Sequence, residues 1–309
     1  MAVAEGKMAS RVEPRPRAFH QRPMRYIVGR VFIYLLIIVG GAVSMFPFVW
    51  TLMSSGKSVW ELTAFPPTLF PQEQIFIENY TRLLTEVPFL VWIRNSAVVT
   101  GLNLLGAISS AAIVAYCFSR FQFRGREAWF FIMLTTMMLP GEVTLIPQYL
   151  IFHALGWIDT FNPLIVPAYF GGGAFNIFLI RQFFLSIPRD MDESAEIDGA
   201  NPFQIFFKIL LPLSKPVLAT AAALGFIGNW NSFMGPLIYL NSPRKFTATL
   251  GLRYFSMGAT AATIEIGSLQ PMENLLMAGS LIVAMPCLIL FFVAQKYFVQ
   301  GIVTTGIKG

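Results

Sequence analysis

Charge is scarce in this chain. Asp, Glu, Lys and Arg make up 12% of its 309 residues, whereas 55% are hydrophobic and Phe alone occurs 30 times. A soluble domain showing that much apolar surface would aggregate, so the composition is that of a membrane protein. The length suits one polytopic domain and leaves no room for a separate soluble enzyme. Cysteine is nearly absent. Cys117 and Cys287 both lie inside apolar runs, which argues against a disulfide or a thiol metal site. The two histidines, His20 and His153, are too far apart for metal-ligand spacing. A phosphate-binding loop is missing too: Gly56-Lys57-Ser58 has Thr51 where the first glycine would be needed. If ATP drives this protein, another subunit must bind it. No Ser-His, paired Asp or His-Glu-x-x-His arrangement falls at membrane depth, which argues against an intramembrane enzyme.

The net charge of +6 does not point to nucleic acid, because the basic residues are scattered at the ends of apolar runs. Residues 1–30 hold seven of them among Pro, Gly and Ser, and read as a disordered basic tail rather than a cleaved signal peptide. Such a tail can also bind anionic membrane lipid. Six runs then approach the ~20 residues that a bilayer-spanning helix requires. They cover 31–53, 95–118, 128–150, 162–180, 216–240 and 274–295. An inside amino terminus leaves sixteen of the 22 Lys and Arg on the cytoplasmic side. The positive-inside rule therefore places both termini in the cytoplasm. The predicted fold is all-α, with six transmembrane helices in a domain over 31–300 and a short cytoplasmic tail over 301–309.

Several spans carry residues that lipid does not favour. Pro140-Gly141-Glu142 puts a carboxylate at membrane depth, at a cost of about 2.5 to 3.5 kcal/mol unless it finds a partner or a wet cavity. Glu142 then either lines a pathway near an outer gate or caps a broken helix at the interface. Gly171-Gly172-Gly173 predicts close helix packing, with room for a break. In the fifth span, Asn229-Trp230-Asn231 sets amides beside an aromatic ring. That pattern suits a hydroxyl-rich ligand, and equally suits interhelical hydrogen bonding. The last outer loop, 241–272, is polar and predicts contact with an external partner.

The most informative stretch lies between the fourth and fifth spans, over 187–212. Five carboxylates, Asp190, Asp192, Glu193, Glu196 and Asp198, fall within nine residues. They complement the positive end of a helix that Gly199 would terminate in the left-handed conformation. Asn201 can cap a second helix, with Pro202 at its first position and Gln204 closing a capping box. Ser194 and Ala195 lack bulk, so another surface can approach closely. The chemistry is that of a helix–corner–helix knuckle exposed to water.

The spacing Glu193-Ser194-Ala195, three residues, Gly199, nine residues, Ile209, one residue, Leu211-Pro212 resembles the "EAA" loop of ATP-binding-cassette importer permeases. Ser194 departs from the family's first alanine and keeps the side chain small. Phe123-Arg124-Gly125, the stretch from Leu155 to Thr160, Phe226 to Pro236 and the terminal Gln300-Gly301 to Lys308-Gly309 resemble carbohydrate-importer permeases. The likeness covers roughly residues 30 to 309 and is closest to the second permease subunit of maltose-type importers. It implies a type I importer fold in a bacterial or archaeal cell membrane. It also implies a second permease subunit, two ATPase subunits that bind the ATP, and an extracytoplasmic solute-binding protein. No cofactor of this chain's own is implied. The ATPase-coupling residues would be Glu193, Ser194, Ala195, Asp198, Gly199, Ile209, Leu211 and Pro212, and the tail from Gly301 would also reach the ATPases. The pathway candidates are Glu142, Asn229, Trp230 and Asn231. The competing reading is a proton-coupled secondary transporter with Glu142 as its proton site.

Overall fold

The computed structural model describes residues 24–256 and 272–306. The basic tail over 1–23, most of the polar loop over 257–271 and the last three residues lie outside them. The described residues divide between Val49 and Trp50 into two compact units. The described secondary structure is helical throughout. Helix α1, Met24–Ser54, starts seven residues before the expected first span and takes in Arg25 and Arg30, while the stretch apolar enough to cross a membrane begins at Val28. It contains Pro47.

In the second unit, α2 (Val59–Thr63) and α3 (Phe76–Thr85) occupy the first long loop. Helix α4, Phe89–Arg120, is the second span, extended beyond the expected 95–118 at both ends. Helices α5 (Arg126–Thr135) and α6 (Gly141–Ala154) divide the third. They meet at 97° across a 3-10 turn and Leu139-Pro140. Pro140 lacks an amide proton and disfavours helix in the residue before it, so an unbroken helix over 128–150 does not form. Helix α7 (Asn162–Ile165), a 3-10 turn and α8 (Ala174–Ser186) make the fourth span. The knuckle holds α9 (Asp190–Ile197), α10 (Pro202–Ile205) and, after a π turn, α11 (Leu211–Leu213). Helix α12, Lys215–Trp230, leaves that segment at 73° and stops ten residues before the expected end of the fifth span. Short helices α13 (Met234–Tyr239) and α14 (Ala248–Ser256) follow, then α15 (Glu273–Gly306). The expected C-terminal tail is therefore helical as far as Gly306. Among the described residues four stretches are long and apolar enough to cross a membrane, and counting each bent pair as one span gives six.

Two apolar clusters lie at opposite ends of α4. At its Phe89 end, Phe89 and Trp92 pack with Leu83, Phe246, Leu250 and Leu275. At its Arg120 end, Ala111, Ala112, Ala115 and Tyr116 pack with Ile177, Ile180 and Phe184 of α8, and with Ile205, Phe206 and Leu210 of the knuckle. Small residues every fourth position leave a shallow groove along α4 in which α8 can lie. The glycine triplet completes this approach. All three glycines have positive φ, and a Cβ on Gly172 would overlap the carbonyl oxygen of Ala107. Packing and break thus occur at the same residue.

At the Phe89 end of α4, buried amides and hydroxyls hold loops by their backbones. Asn95 Nδ2 donates to the carbonyls of Arg244 (2.9 Å) and Phe246 (3.0 Å), and Trp92 Nε1 donates to Pro243 (2.7 Å). Asp159, with φ +59°, accepts from the amides of Asn241 (3.0 Å) and Ser242 (2.9 Å), the Ser242 hydroxyl (2.5 Å) and Lys245 Nζ (2.9 Å). Burial pushes its carboxyl up, but the bonds from Ser242, Lys245 and Asn241 outweigh that and hold it well below the usual carboxylate range.

Gly172→Ala should lower the unfolding temperature in detergent, since the left-handed backbone alone costs ~1–2 kcal/mol before any overlap. Gly228→Ala, in a helix with open space at the new Cβ, should raise it by an amount corresponding to ~1 kcal/mol or less. Equal shifts in the two variants would refute the packing account. The depressed carboxyl of Asp159 adds stability above its unfolded pKa and loses it as pH falls through the folded value. Hydrogen exchange over 241–246 should accordingly stay protected from neutral pH into the mildly acidic range, and should speed up several-fold in Asp159→Ala.

Candidate functional site: the knuckle

The knuckle forms as its local chemistry dictates. Asp190, Asp192 and Glu193 occupy the first turn of α9, where the helix dipole favours anions. The helix ends in a Schellman arrangement. The Ala200 amide donates to Ala195 O (2.9 Å) and the Gly199 amide to Glu196 O (3.0 Å), with Gly199 at φ +84°. Asn201 Oδ1 accepts from the Gln204 amide (2.9 Å) while Gln204 Oε1 accepts from the Asn201 amide (3.0 Å), the reciprocal pair of a capping box. Pro188 precedes α9 by two residues instead of opening it.

The coupling candidates divide by exposure. Glu193, Ser194, Asp198, Gly199 and Pro212 face outward, and a Cβ on Gly199 would meet nothing. Ser194 Oγ donates to Asp190 O (2.7 Å), so the polar group that departs from the family pattern is satisfied within its own helix. Ala195, Ile209 and Leu211 are half-buried, and Ala195 and Leu211 pack on the cluster at the Arg120 end of α4. These residues hold the shape that the outer ones present.

Several residues of consequence were not singled out from the sequence. Ile197 is 87% exposed and Phe203 76%, with Met191 and Phe207 also outward. Large apolar groups on a water-facing knuckle call for a cover. Asp192, by contrast, is buried, and its Oδ2 lies 2.6 Å from Arg120 Nε at the last residue of α4. Burial pushes the Asp192 carboxyl up, with Arg120 opposing that shift. A cavity of about 250 Å³ beside the pair is lined by Tyr116, Arg120, Arg189, Asp192, Glu193 and Glu196, among others. Nothing in the sequence spacing pairs Asp192 with an arginine so far back.

The pathway candidates fall in three different surroundings. Glu142 is exposed in the first turn of α6, directly after the bend, where it complements the helix N-terminus. Trp230 is 4% exposed, and its Nε1 donates to Val283 O (2.8 Å), an interhelical tie between α12 and α15. Asn229 donates to Gly225 O (2.9 Å) within α12, and Asn231, just past its end, donates to Ile227 O (2.8 Å) and also reaches Cys287 Sγ of α15 (3.7 Å). Asn229 also borders a small cavity lined by Ser96, Thr100, Ser232 and Thr247 together with Val99, Leu164 and Pro236. The structure does not gather these four residues into one site.

Residues 103–304 match the family described as "Binding-protein-dependent transport system inner membrane component". The probable ABC transporter permease protein YurM of Bacillus subtilis (strain 168) is 33% identical over 282 residues, covering 90% of this chain and 87% of the relative. The galactooligosaccharides transport system permease protein GanQ of the same organism is 31% identical, covering 93% and 98%. Among solved structures, a bacterial ABC transporter involved in the import of the acidic polysaccharide alginate superposes with TM-score 0.77 and 29% identity, over 91% of this chain and 99% of that one. An all-helical bundle with broken spans, a glycine-cornered acidic knuckle and these likenesses have one reading: the chain belongs to the binding-protein-dependent transport system inner membrane components, as a multi-pass permease of the ABC importer class.

Proposed function

We propose that this chain imports a sugar or sugar-like solute as one of two permease subunits, driven by ATP that separate ATPase subunits hydrolyse. A solute-binding protein would deliver the cargo on the outer side. The carbohydrate class is supported by the likeness to GanQ, whose name assigns it galactooligosaccharides, and to the alginate importer. The chain itself carries out no bond chemistry in this reading. The knuckle and both termini face the cytoplasm, in keeping with the distribution of Lys and Arg.

The observation that carries the proposal is the exposed face of the knuckle. Glu193, Ser194 and Gly199 sit there beside Ile197 and Phe203, whose apolar surface water does not favour. An ATPase groove lined with apolar and basic groups would bury both side chains and meet the acids around them. Movement of the ATPases would then move α9 and α10 as a unit, because the Schellman turn and capping box fix the corner between them. Transport follows when the spans exchange between inward- and outward-open states. Glu142, at the mouth of a bent helix, acts here as an N-terminal partner of α6 and takes no part in driving transport. The family assignment does not favour the proton-coupled alternative.

The complex should be purified with its own partners, placed in vesicles and offered a panel of galacto-, arabino- and malto-oligosaccharides. ATP should drive uptake of at least one, and a proton gradient alone of none. Gly199→Val should abolish that uptake while the protein stays in the membrane: its Cβ meets nothing within the chain, but the left-handed backbone (φ +84°) strains a β-branched residue and reshapes the corner itself, away from the packed spans. Glu142→Gln should keep uptake within about twofold of the unaltered protein. Uptake that follows the proton gradient and vanishes in Glu142→Gln would establish the alternative instead.

A further inference from the structure

We propose that Arg120 and Asp192 form the joint through which force on the knuckle reaches the membrane helices, making both positioning residues for energy coupling. The inference rests on the coupling reading above and names the contact that would transmit it.

The knuckle is attached to the rest of the bundle in two ways. One is apolar: Ala195, Ala200 and Leu211 rest on the cluster at the Arg120 end of α4. Such contacts are non-directional and let surfaces slide. The other is polar and converges on the last turn of α4. Arg120 Nε meets Asp192 Oδ2 at 2.6 Å inside α9, and Arg120 Nη2 donates to Ile187 O (3.2 Å) just before it. One turn earlier on α4, Tyr116 Oη donates to Pro202 O (3.1 Å) at the start of α10. Arg189 Nη2 returns a bond to Ser119 O (3.3 Å). A single helical turn therefore grips the knuckle before its first helix, within it and at the start of its second.

Burial makes the ion pair the stiff member of this set. Its side chains are 8% and 12% exposed, so salt and water screen it weakly. Removing one partner leaves a buried charge without compensation, so the pair resists separation more than an exposed one would. Among the described residues Arg120 Nε and Asp192 Oδ1 have no hydrogen-bond partner, so the contact holds by charge, and its direction comes from the helices that carry it. Asp192 lies in the first turn of α9, and Arg120 is the last residue of a 32-residue helix that packs along α8 and reaches the loops at its far end. A pull on α9 is thus a pull along α4. Glu193, one residue later, points outward. Adjacent acids therefore have opposite tasks, one facing the motor and the other facing the helix that must move.

The test compares Asp192→Asn, Asp192→Glu and Arg120→Gln in the complete complex in vesicles, using the oligosaccharide that the unaltered complex takes up. ATP hydrolysis and uptake are measured on the same preparation. Asp192→Asn and Arg120→Gln should keep hydrolysis within about threefold while uptake per ATP falls about tenfold or more. Asp192→Glu, which restores the charge, should recover uptake per ATP to within about threefold. Unchanged uptake per ATP in both neutral variants would overturn the joint. A parallel fall in both activities with loss of assembled complex, not rescued by Asp192→Glu, would also overturn it, by showing a purely structural pair. Failure of ATP to drive uptake in the unaltered complex would sink the coupling reading itself, a result distinct from either.

Discussion

Ala107 and Ala111 face Gly172 just before α8, and with Ala115 in the same row they let the chain of the fourth span approach α4 until backbone meets backbone. Between apolar helices in lipid there is little hydrophobic drive for association, because the tails are as apolar as leucine. Close approach and hydrogen bonds must supply the specificity, and α4 supplies both. Its small face admits α8, and its polar residues reach carbonyls of the broken fourth span. Asn103 Nδ2 donates to Leu164 O (2.7 Å) and Ser110 Oγ to Ala168 O (2.9 Å). The broken fourth span turns these two carbonyls toward α4, which offers a side-chain donor to each. Packing and polar satisfaction are thus one arrangement.

The same economy governs the two ends of α4. At the Phe89 end, Trp92, Asn95 and Ser96 hold the backbone of 243–248. At the other, Tyr116, Ser119 and Arg120 hold the knuckle. A loop held by its carbonyls and amides keeps its position whatever its side chains are, which leaves those side chains available for partners. Helix α4 therefore links both water-facing ends of the second unit. For a permease, that is where a motor and a delivery protein would act.

Much of this was legible in the sequence because the signals are local. Gly199, Asn201, Pro202 and Gln204 dictate their corner through backbone preference and short-range hydrogen bonds, and the corner forms as those residues require. The six apolar runs are equally local, being counts of residues against bilayer thickness. Their continuity was harder to read, because hydropathy does not register that Leu139-Pro140 or Gly171 to Gly173 turns the chain within an apolar run. The roles of polar residues inside the spans were harder still. Trp230 between two asparagines reads equally well as a ligand platform or a tie, and only the position of Val283 on α15 shows where its indole is directed. Asp192 is the clearest case. As one acid among five it looked solvated, and its burial depends on an arginine that the fold brings from the end of another span.

That contrast bears on what an acidic loop in a membrane protein is for. Five carboxylates on a solvated loop would repel one another and hold no fixed direction. Here three of them sit in the first turn of α9, where the dipole offsets part of the repulsion, and one is turned inward against a cation. The outward acids are left beside Ile197 and Phe203 on a corner whose backbone is closed by reciprocal bonds. A partner meeting this surface finds apolar anchors at fixed spacing within a negative rim, the arrangement from which interfaces draw most of their affinity. The inward acid adds nothing to that contact. An apolar residue of similar size would have packed there with less desolvation cost, and in the joint proposed above the pair's contribution is to keep the knuckle registered to α4 while something pulls on it.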